Sequence, residues 1–261
     1  MRGNKVKRLL REGKVVIGTM VTEVRSPSIA QMLFTAGFDC MFIDSEHSSF
    51  SIETVADLIL AAKAADIVSV VRVPSRKEHH LMSRPLDAGA QGLLIPRVET
   101  KEEVREIIRA TKYYPLGERG MSLRRAPHDF AKEEATELMK TANEETLIVI
   151  QIESKLAVES VDQLISIEGV DAALIGPNDL SQSLGIPGQM EKPEFIESIR
   201  KVIKACKKYD IISGIHVGST EAAKKWIEEG MKLVLVSTDV GMIMDTGTRL
   251  AHEMKDFVRG R

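Results

Sequence analysis

The chain predicts an α/β protein folded as a single (β/α)8 barrel, and three observations carry that expectation. Its 261 residues are long for two small domains and typical of one such barrel. Eight short apolar runs alternate with helical patterns from end to end. Charged side chains stand just past the ends of four of those runs. Parallel strands closing into a barrel would gather those ends on one face.

The strand candidates are residues 15–21, 40–44, 68–73, 92–97, 147–153, 172–176, 211–217 and 233–237. Most are almost continuously hydrophobic, as parallel strands covered on both faces should be. Eight alternations favour a closed barrel over an open doubly wound sheet, and no Gly-x-Gly-x-x-Gly follows a strand, which argues against a dinucleotide fold. Ser51-Ile52-Glu53-Thr54 opens a helix running to Asp66, with Val55, Leu58, Ile59 and Ala62 on its apolar side. Thr100-Lys101-Glu102-Glu103 reads as a capping box, and Ser219-Thr220-Glu221 starts another helix that ends at Glu229-Gly230. Gly37, Gly89 and Gly230 each fall between a helix and a strand, where a left-handed cap is wanted. Pro85 is expected to disturb the third helix. One connection is long, residues 113–145; within it 131–142 reads as a helix, and the remainder is expected to drape over the catalytic face. No linker divides the chain, so residues 1–261 form one domain.

Composition narrows the function. Hydrophobic residues make up 43% of the chain, enough for a substantial core, and 36 basic against 38 acidic residues leave a formal charge of −2. Such a balance shows no overall bias toward nucleic acid or an acidic membrane. The two cysteines, Cys40 and Cys206, make neither a CxxC pair nor a disulfide framework, and Cys40 is expected to be buried in a strand. The basic segment 1–14 lacks an uninterrupted apolar stretch, and no run approaches the ~18 apolar residues of a membrane span, so a cytoplasmic enzyme is expected.

The charged residues at the strand ends suggest metal-assisted enolate chemistry. Glu153 and Asp179 follow consecutive strands, and hard carboxylate oxygens without Cys or paired His suit Mg2+ or Mn2+. Taken singly, each is more simply a helix-capping acid; their shared barrel end raises the pair above chance. In Asp44-Ser45-Glu46-His47 a carboxylate lies near an imidazole, which fixes its tautomer and raises its basicity as a general base requires. A polar loop with a surface histidine is the competing account. Arg72 closes a strand, and a buried guanidinium there needs an anionic partner, either a structural Asp or an enolate oxygen. Gly176-Pro177-Asn178-Asp179-Leu180-Ser181 looks like a turn into a helix N-terminus whose backbone N–H groups could bind a carboxylate, or like a simple cap. His216 also ends a strand and could support the site from behind, although a structural role is the simpler reading; His79, His80, His128 and His252 have no comparable setting.

Together these stretches resemble the HpcH/HpaI aldolase family, the class II, metal-dependent pyruvate aldolases. The matching pieces are residues 38–47, Val71-Arg72-Val73-Pro74, residues 86–92, Tyr114-Pro115, Gly117-Glu118-Arg119-Gly120, Gln151-Ile152-Glu153 and residues 175–181, in order over nearly the whole chain. The resemblance implies a TIM barrel with His47 as catalytic base, Asp44 paired to it, and Arg72 steadying the enolate oxygen. It implies a divalent ion (Mg2+ or Mn2+, Co2+ being a further candidate) on Glu153 and Asp179, with no organic cofactor. Gln151, Gly176, Pro177 and the backbone at Asn178 and Asp179 would contact the 2-oxo acid. The family also gives Asp87 a role in raising the histidine's basicity. Asp87 precedes the fourth strand, at the wrong barrel end, so it could act only on a neighbouring subunit's histidine, in keeping with the hexamers (trimers of dimers) that the resemblance implies. The C-terminal helix is expected to pack on a neighbouring subunit. The stretch from Arg72 to Asp87 is one residue longer than the commonest family spacing.

The expected reaction is reversible cleavage of a 4-hydroxy-2-oxo acid, of the 4-hydroxy-2-oxoheptanedioate or 2-keto-3-deoxy-sugar-acid type, to pyruvate and an aldehyde. Arg124 and Arg125 could select an acidic aldehyde, although solvated loop charges are the commoner explanation. A Schiff-base enzyme would need Lys155 or Lys232 desolvated. Two rivals are a citrate-lyase-β or malyl-CoA-type lyase, which would need a basic patch for the nucleotide, and a catalytically silent ligand-binding barrel, which would lack a base or a ligand.

Overall fold

The computed structural model describes residues 3–122, 124–132 and 134–260. Eight parallel strands close into a barrel in sequence order. They are β1 (Val16–Val21), β2 (Cys40–Asp44), β3 (Val68–Arg72), β4 (Gly92–Ile95), β5 (Leu147–Ile152), β6 (Ala172–Ile175), β7 (Ile212–Val217) and β8 (Leu233–Thr238). The TIM-barrel expectation is met, with strand ends within two residues of those read from sequence. α1 (Lys5–Arg11) precedes β1, and α2 (Ser28–Thr35), α3 (Ile52–Ala65) and α4 (His79–Ala88) follow β1, β2 and β3. Both α5 (Lys101–Thr111) and α6 (Ala135–Glu145) lie between β4 and β5. After β5 come α7 (Lys155–Glu159) and α8 (Val161–Ile165), and after β6 come α9 (Pro177–Ser183) and α10 (Pro193–Lys208). α11 (Thr220–Glu228) joins β7 to β8, and α12 (Asp239–Arg259) follows.

The local signals act as expected. Ser51 and Ser219 cap α3 and α11, and Thr100 with Glu103 forms the full capping box on α5. Gly37, Gly89 and Gly230 all have positive φ at helix ends. Side chains alternate across a strand, so the barrel has two cores. Inside lie Met20, Cys40, Phe42, Val68, Val70, Leu94, Leu147, Val149, Leu174 and Leu235, closed at the N-terminal end by Val6 and Leu10 of α1. Between strands and helices lies the larger cluster, which includes Met41, Ile43, Val71, Leu93, Ile150 and Ile175. Counting on by two from Phe42, Val70 and Val149 reaches Asp44, Arg72 and Gln151. The top inward layer is therefore polar where the layers beneath are apolar.

Two expectations are corrected. α4 continues through Pro85, because the proline ring is buried and packing outweighs one missing N–H. The long connection does not drape over the catalytic face. α5 carries the chain back to the N-terminal end before the irregular stretch begins. There Lys112 donates to the Thr146 carbonyl (2.9 Å), one residue before β5, and Lys63 donates to the Ala126 carbonyl (2.7 Å). The helix expected at 131–142 is α6, displaced toward the C-terminus because Glu134 caps it; Leu123 and Glu133 of this connection lie outside the described residues. Among the described residues no helix is long and apolar enough to cross a membrane.

Candidate active site

The polar layer at the C-terminal rim is organised around two carboxylates. Asp44 and Arg72 are paired in register at the last positions of β2 and β3. Arg72 donates from Nε (2.8 Å) and Nη2 (2.7 Å) to the two oxygens of Asp44, a bidentate pair in which both side chains are buried. Burial opposes ionisation of Asp44, but the Arg72 guanidinium and the backbone N–H groups of Glu46 and His47 outweigh it and hold its carboxyl below the usual range. The expected pairing of Asp44 with the His47 imidazole is thus corrected. The guanidinium takes the carboxylate side-on, and only the main chain of His47 reaches it.

Glu46 is the second hub. Its carboxylate stands 3.4 Å from Arg72 Nη1, 3.1 Å from Arg97 Nε and 3.7 Å from His47 Nε2. The His47 side chain is 54% exposed, open to a substrate entering from solvent. Arg97 is a site neighbour that sequence reasoning missed. Its signal was present: it follows Ile95-Pro96 at the end of a strand, as Glu153 follows Ile152.

Glu153 is 4% exposed. One oxygen accepts the Arg97 backbone N–H (2.6 Å) and the other accepts from Gln151 Nε2 (2.6 Å). Burial pushes its pKa up to about 7, and the Arg97 N–H only partly offsets this; the charges of Asp179 and Glu46 add to the rise. Gln151 Oε1 is buried without a hydrogen-bond partner. Across from both lies Gly176, where a Cβ would come within 2.6 Å of Gln151 Nε2 and of Glu153 Oε2. Gly176 caps α9, with Pro177, Asn178 and Asp179 in its first turn. Buried negative charge, an acceptor oxygen lacking a donor and a cradle kept clear by glycine fit a small hard cation with an oxygen-rich ligand. Glu153 and Asp179 are the residues able to hold it. Among the described residues no three His, Cys, Asp or Glu side chains form a ready metal shell, so water or substrate oxygens would complete the coordination.

The rim is tied together by Asp239, which accepts from the backbone N–H of Thr22 (2.9 Å), Glu23 (3.0 Å) and Val24 (2.7 Å). His216 Nε2 lies 2.9 Å from the Ser237 carbonyl. Three residues fall away from the site within one chain. Asp87 sits near the end of α4, paired with Arg119 at 2.5 Å. Arg124 and Arg125 lie on the long connection at the N-terminal end, where Arg125 donates to Ser122, so neither reaches an aldehyde at the opposite rim. Neither Schiff-base lysine is suitably placed: Lys155 is exposed, and Lys232 precedes β8 at the far end.

The model of the HpcH/HpaI aldolase/citrate lyase family matches residues 20–246, and the chain belongs to that family. It is 33% identical over 258 residues to a hydroxypyruvate/pyruvate aldolase of Roseobacter denitrificans, covering 97% of each chain. It is 32% identical over 252 residues to a 5-keto-4-deoxy-D-glucarate aldolase of Salmonella paratyphi C, again covering 97% of each. The crystal structure of an HpcH/HpaI aldolase from Desulfitobacterium hafniense superposes with a TM-score of 0.93 at 34% identity, covering 97% of both chains. The expected class, a carbon–carbon lyase of the aldolase type, stands on these relatives.

Proposed function

We propose that this protein is a class II pyruvate aldolase that reversibly cleaves a 4-hydroxy-2-oxo acid to pyruvate and an aldehyde. One observation carries the reading. Buried Glu153, its pKa lifted to about 7, shares a pocket with an unpartnered Gln151 oxygen and a glycine-cleared space. Glu153 and Asp179 hold a divalent ion, Mg2+ or Mn2+ by the hardness of their oxygens, with Co2+ a further candidate. When bound, the ion supplies Lewis-acid polarisation of the 2-oxo acid and neutralises the facing carboxylates.

The chain's own residues do the rest. Gln151 and the first turn of α9 (Pro177, Asn178 and Asp179, behind Gly176) orient the 2-oxo acid. Arg72, locked by Asp44, presents a fixed positive charge to the oxygen that becomes the enolate, a preorganised stabilisation that grows toward the transition state. His47 takes the proton from the 4-hydroxyl. The C3–C4 electron pair passes into the pyruvate enolate, the aldehyde departs, and the enolate is protonated at C3. No lysine takes part. The buried lysine whose pKa falls to about 7, Lys112, is at the N-terminal end, donating to the carbonyls of Asn143 and Thr146.

We further infer a homo-oligomer, a trimer of dimers, in which Asp87 of the partner subunit approaches His47 and α12 packs on a neighbour. The exposure of Ile243, Met244, Leu250 and Met254 along α12 supports this reading, and light scattering tests it. Two free buried thiols suit a reducing cytoplasm. The deciding experiment for the activity is a pyruvate-release screen over 4-hydroxy-2-oxo acids, with and without EDTA. Release that EDTA abolishes and Mn2+ restores is expected; release indifferent to EDTA would overturn the metal assignment.

A further inference from the structure

Arg97 is left over once the aldolase roles are assigned. It sits at the rim beyond β4, 58% exposed, with Nε on Glu46 at 3.1 Å. Among the described residues only that nitrogen of its guanidinium makes a hydrogen bond, so neither Nη group is tied to the protein. Its φ of +57° belongs to the left-handed region that side-chain-bearing residues seldom adopt. Backbone preference would favour glycine or asparagine here, so an arginine at this place points to its side chain. The backbone of the same residue donates to Glu153, which ties the guanidinium to the metal-side carboxylate.

The charge balance of the face indicates a use. Arg72 is fixed by its bidentate bond to Asp44 and assigned to the enolate oxygen, and Glu153 and Asp179 are assigned to the ion, which leaves the Glu46 carboxylate facing Arg97 and His47. An aldehyde carrying its own carboxylate would meet the Glu46 charge unless a cation on the same rim answered it. Arg97 and His47 stand on either side of the Glu46 carboxylate, at 3.1 Å and 3.7 Å from it. With the 4-hydroxyl on His47, a carboxylate at the far end of a short aldehyde could be met by the Arg97 guanidinium across Glu46.

We propose that Arg97 is a specificity-determining residue that binds the carboxylate of an anionic aldehyde, so that short oxo acids are preferred to neutral aldehydes. This rests on the aldolase reading above. It relocates acid selection from Arg124 and Arg125 to the rim that carries the site.

The test compares wild type, Arg97→Gln and Arg97→Lys in the aldol direction with pyruvate and Mn2+. The aldehydes are glyoxylate and 4-oxobutanoate against neutral glycolaldehyde and butanal, and thermal melting confirms that each variant is folded. Loss of a charge-assisted bidentate contact should lower the anionic-over-neutral ratio of kcat/KM by about tenfold or more in Arg97→Gln. The change should appear in the KM for the anionic aldehyde, with partial recovery in Arg97→Lys. A ratio that moves less than about twofold, or a wild type with no preference for the anionic aldehydes, overturns the assignment. Exchange of the pyruvate methyl hydrogens for deuterium, followed separately, distinguishes the two failures. Wild type that exchanges while the ratio stays put refutes only Arg97; wild type that never exchanges, with Mn2+ present, refutes the aldolase reading and this inference together.

Discussion

Replacing Gly176 by alanine separates a cradle for an ion and its ligand from an ordinary turn. The backbone raises no objection, since φ is −98° and ψ is 92°, open to any L residue. The new Cβ would lie 2.6 Å from both Gln151 Nε2 and Glu153 Oε2, and 2.9 Å from Glu153 Cβ. Ordinary contact begins at 3.4 Å, so each polar atom must retreat by about 0.8 Å (3.4 − 2.6). Little room exists for that: Gln151 is 4% exposed, and the other Glu153 oxygen is held at 2.6 Å by the Arg97 N–H. Overpacking of this kind costs about 1–3 kcal/mol, and displacing a positioning group by ~1 Å can cost roughly a hundredfold in rate. The variant should remain a folded barrel by circular dichroism. Its Mn2+ affinity, read by calorimetry or electron paramagnetic resonance, should fall about tenfold or more, and its kcat/KM about a hundredfold. A folded Gly176→Ala protein that binds Mn2+ as wild type does and turns over within about threefold would refute the cradle.

Three further outcomes follow from the same geometry. The Glu153 pKa rises from 4.5 to about 7, so the metal-free folded state binds this proton more tightly than the unfolded chain. That contribution is complete below about pH 4.5 and lost as pH rises through about 7, roughly 3 kcal/mol over ~2.5 units (7 − 4.5). Melting curves in EDTA from pH 4 to 8 should show the decline, and Glu153→Gln should flatten it. Asp44→Ala strips Arg72 of both short hydrogen bonds and leaves a buried charge, at a cost of about 3–5 kcal/mol; adding Arg72→Leu should recover part of the lost melting temperature. Asp239→Ala frees the backbone N–H groups of Thr22, Glu23, Val24 and Val240, so amide exchange at Thr22, Glu23 and Val24 should quicken while strand amides elsewhere keep their protection.

Much of the site was legible because a strand has a period of two and a barrel has two ends. Val70 to Arg72 and Val149 to Gln151 to Glu153 keep one phase, so apolar residues below and polar residues above can be read from spacing alone. Partnerships were less legible. Whether Asp44 serves an imidazole or a guanidinium depends on which side chain the in-register neighbour brings alongside, and β3 brings Arg72. Arg97 escaped attention although the strand read as 92–97 ends on it, because its left-handed backbone, rather than its type, turns it toward Glu46.

The amino-acid order alone determined the barrel, its eight strands, the capped helices and the polar ends, since periodicity and capping are local and recur at every element. The tertiary structure alone decided where the long connection lies. α5, the first of two helices between β4 and β5, returns the chain to the N-terminal end before the loop starts, and direction is a property of the packed path rather than of composition. It likewise decided which acid meets which base. Those contacts join residues far apart in sequence, and only closure of the barrel brings them within hydrogen-bonding distance.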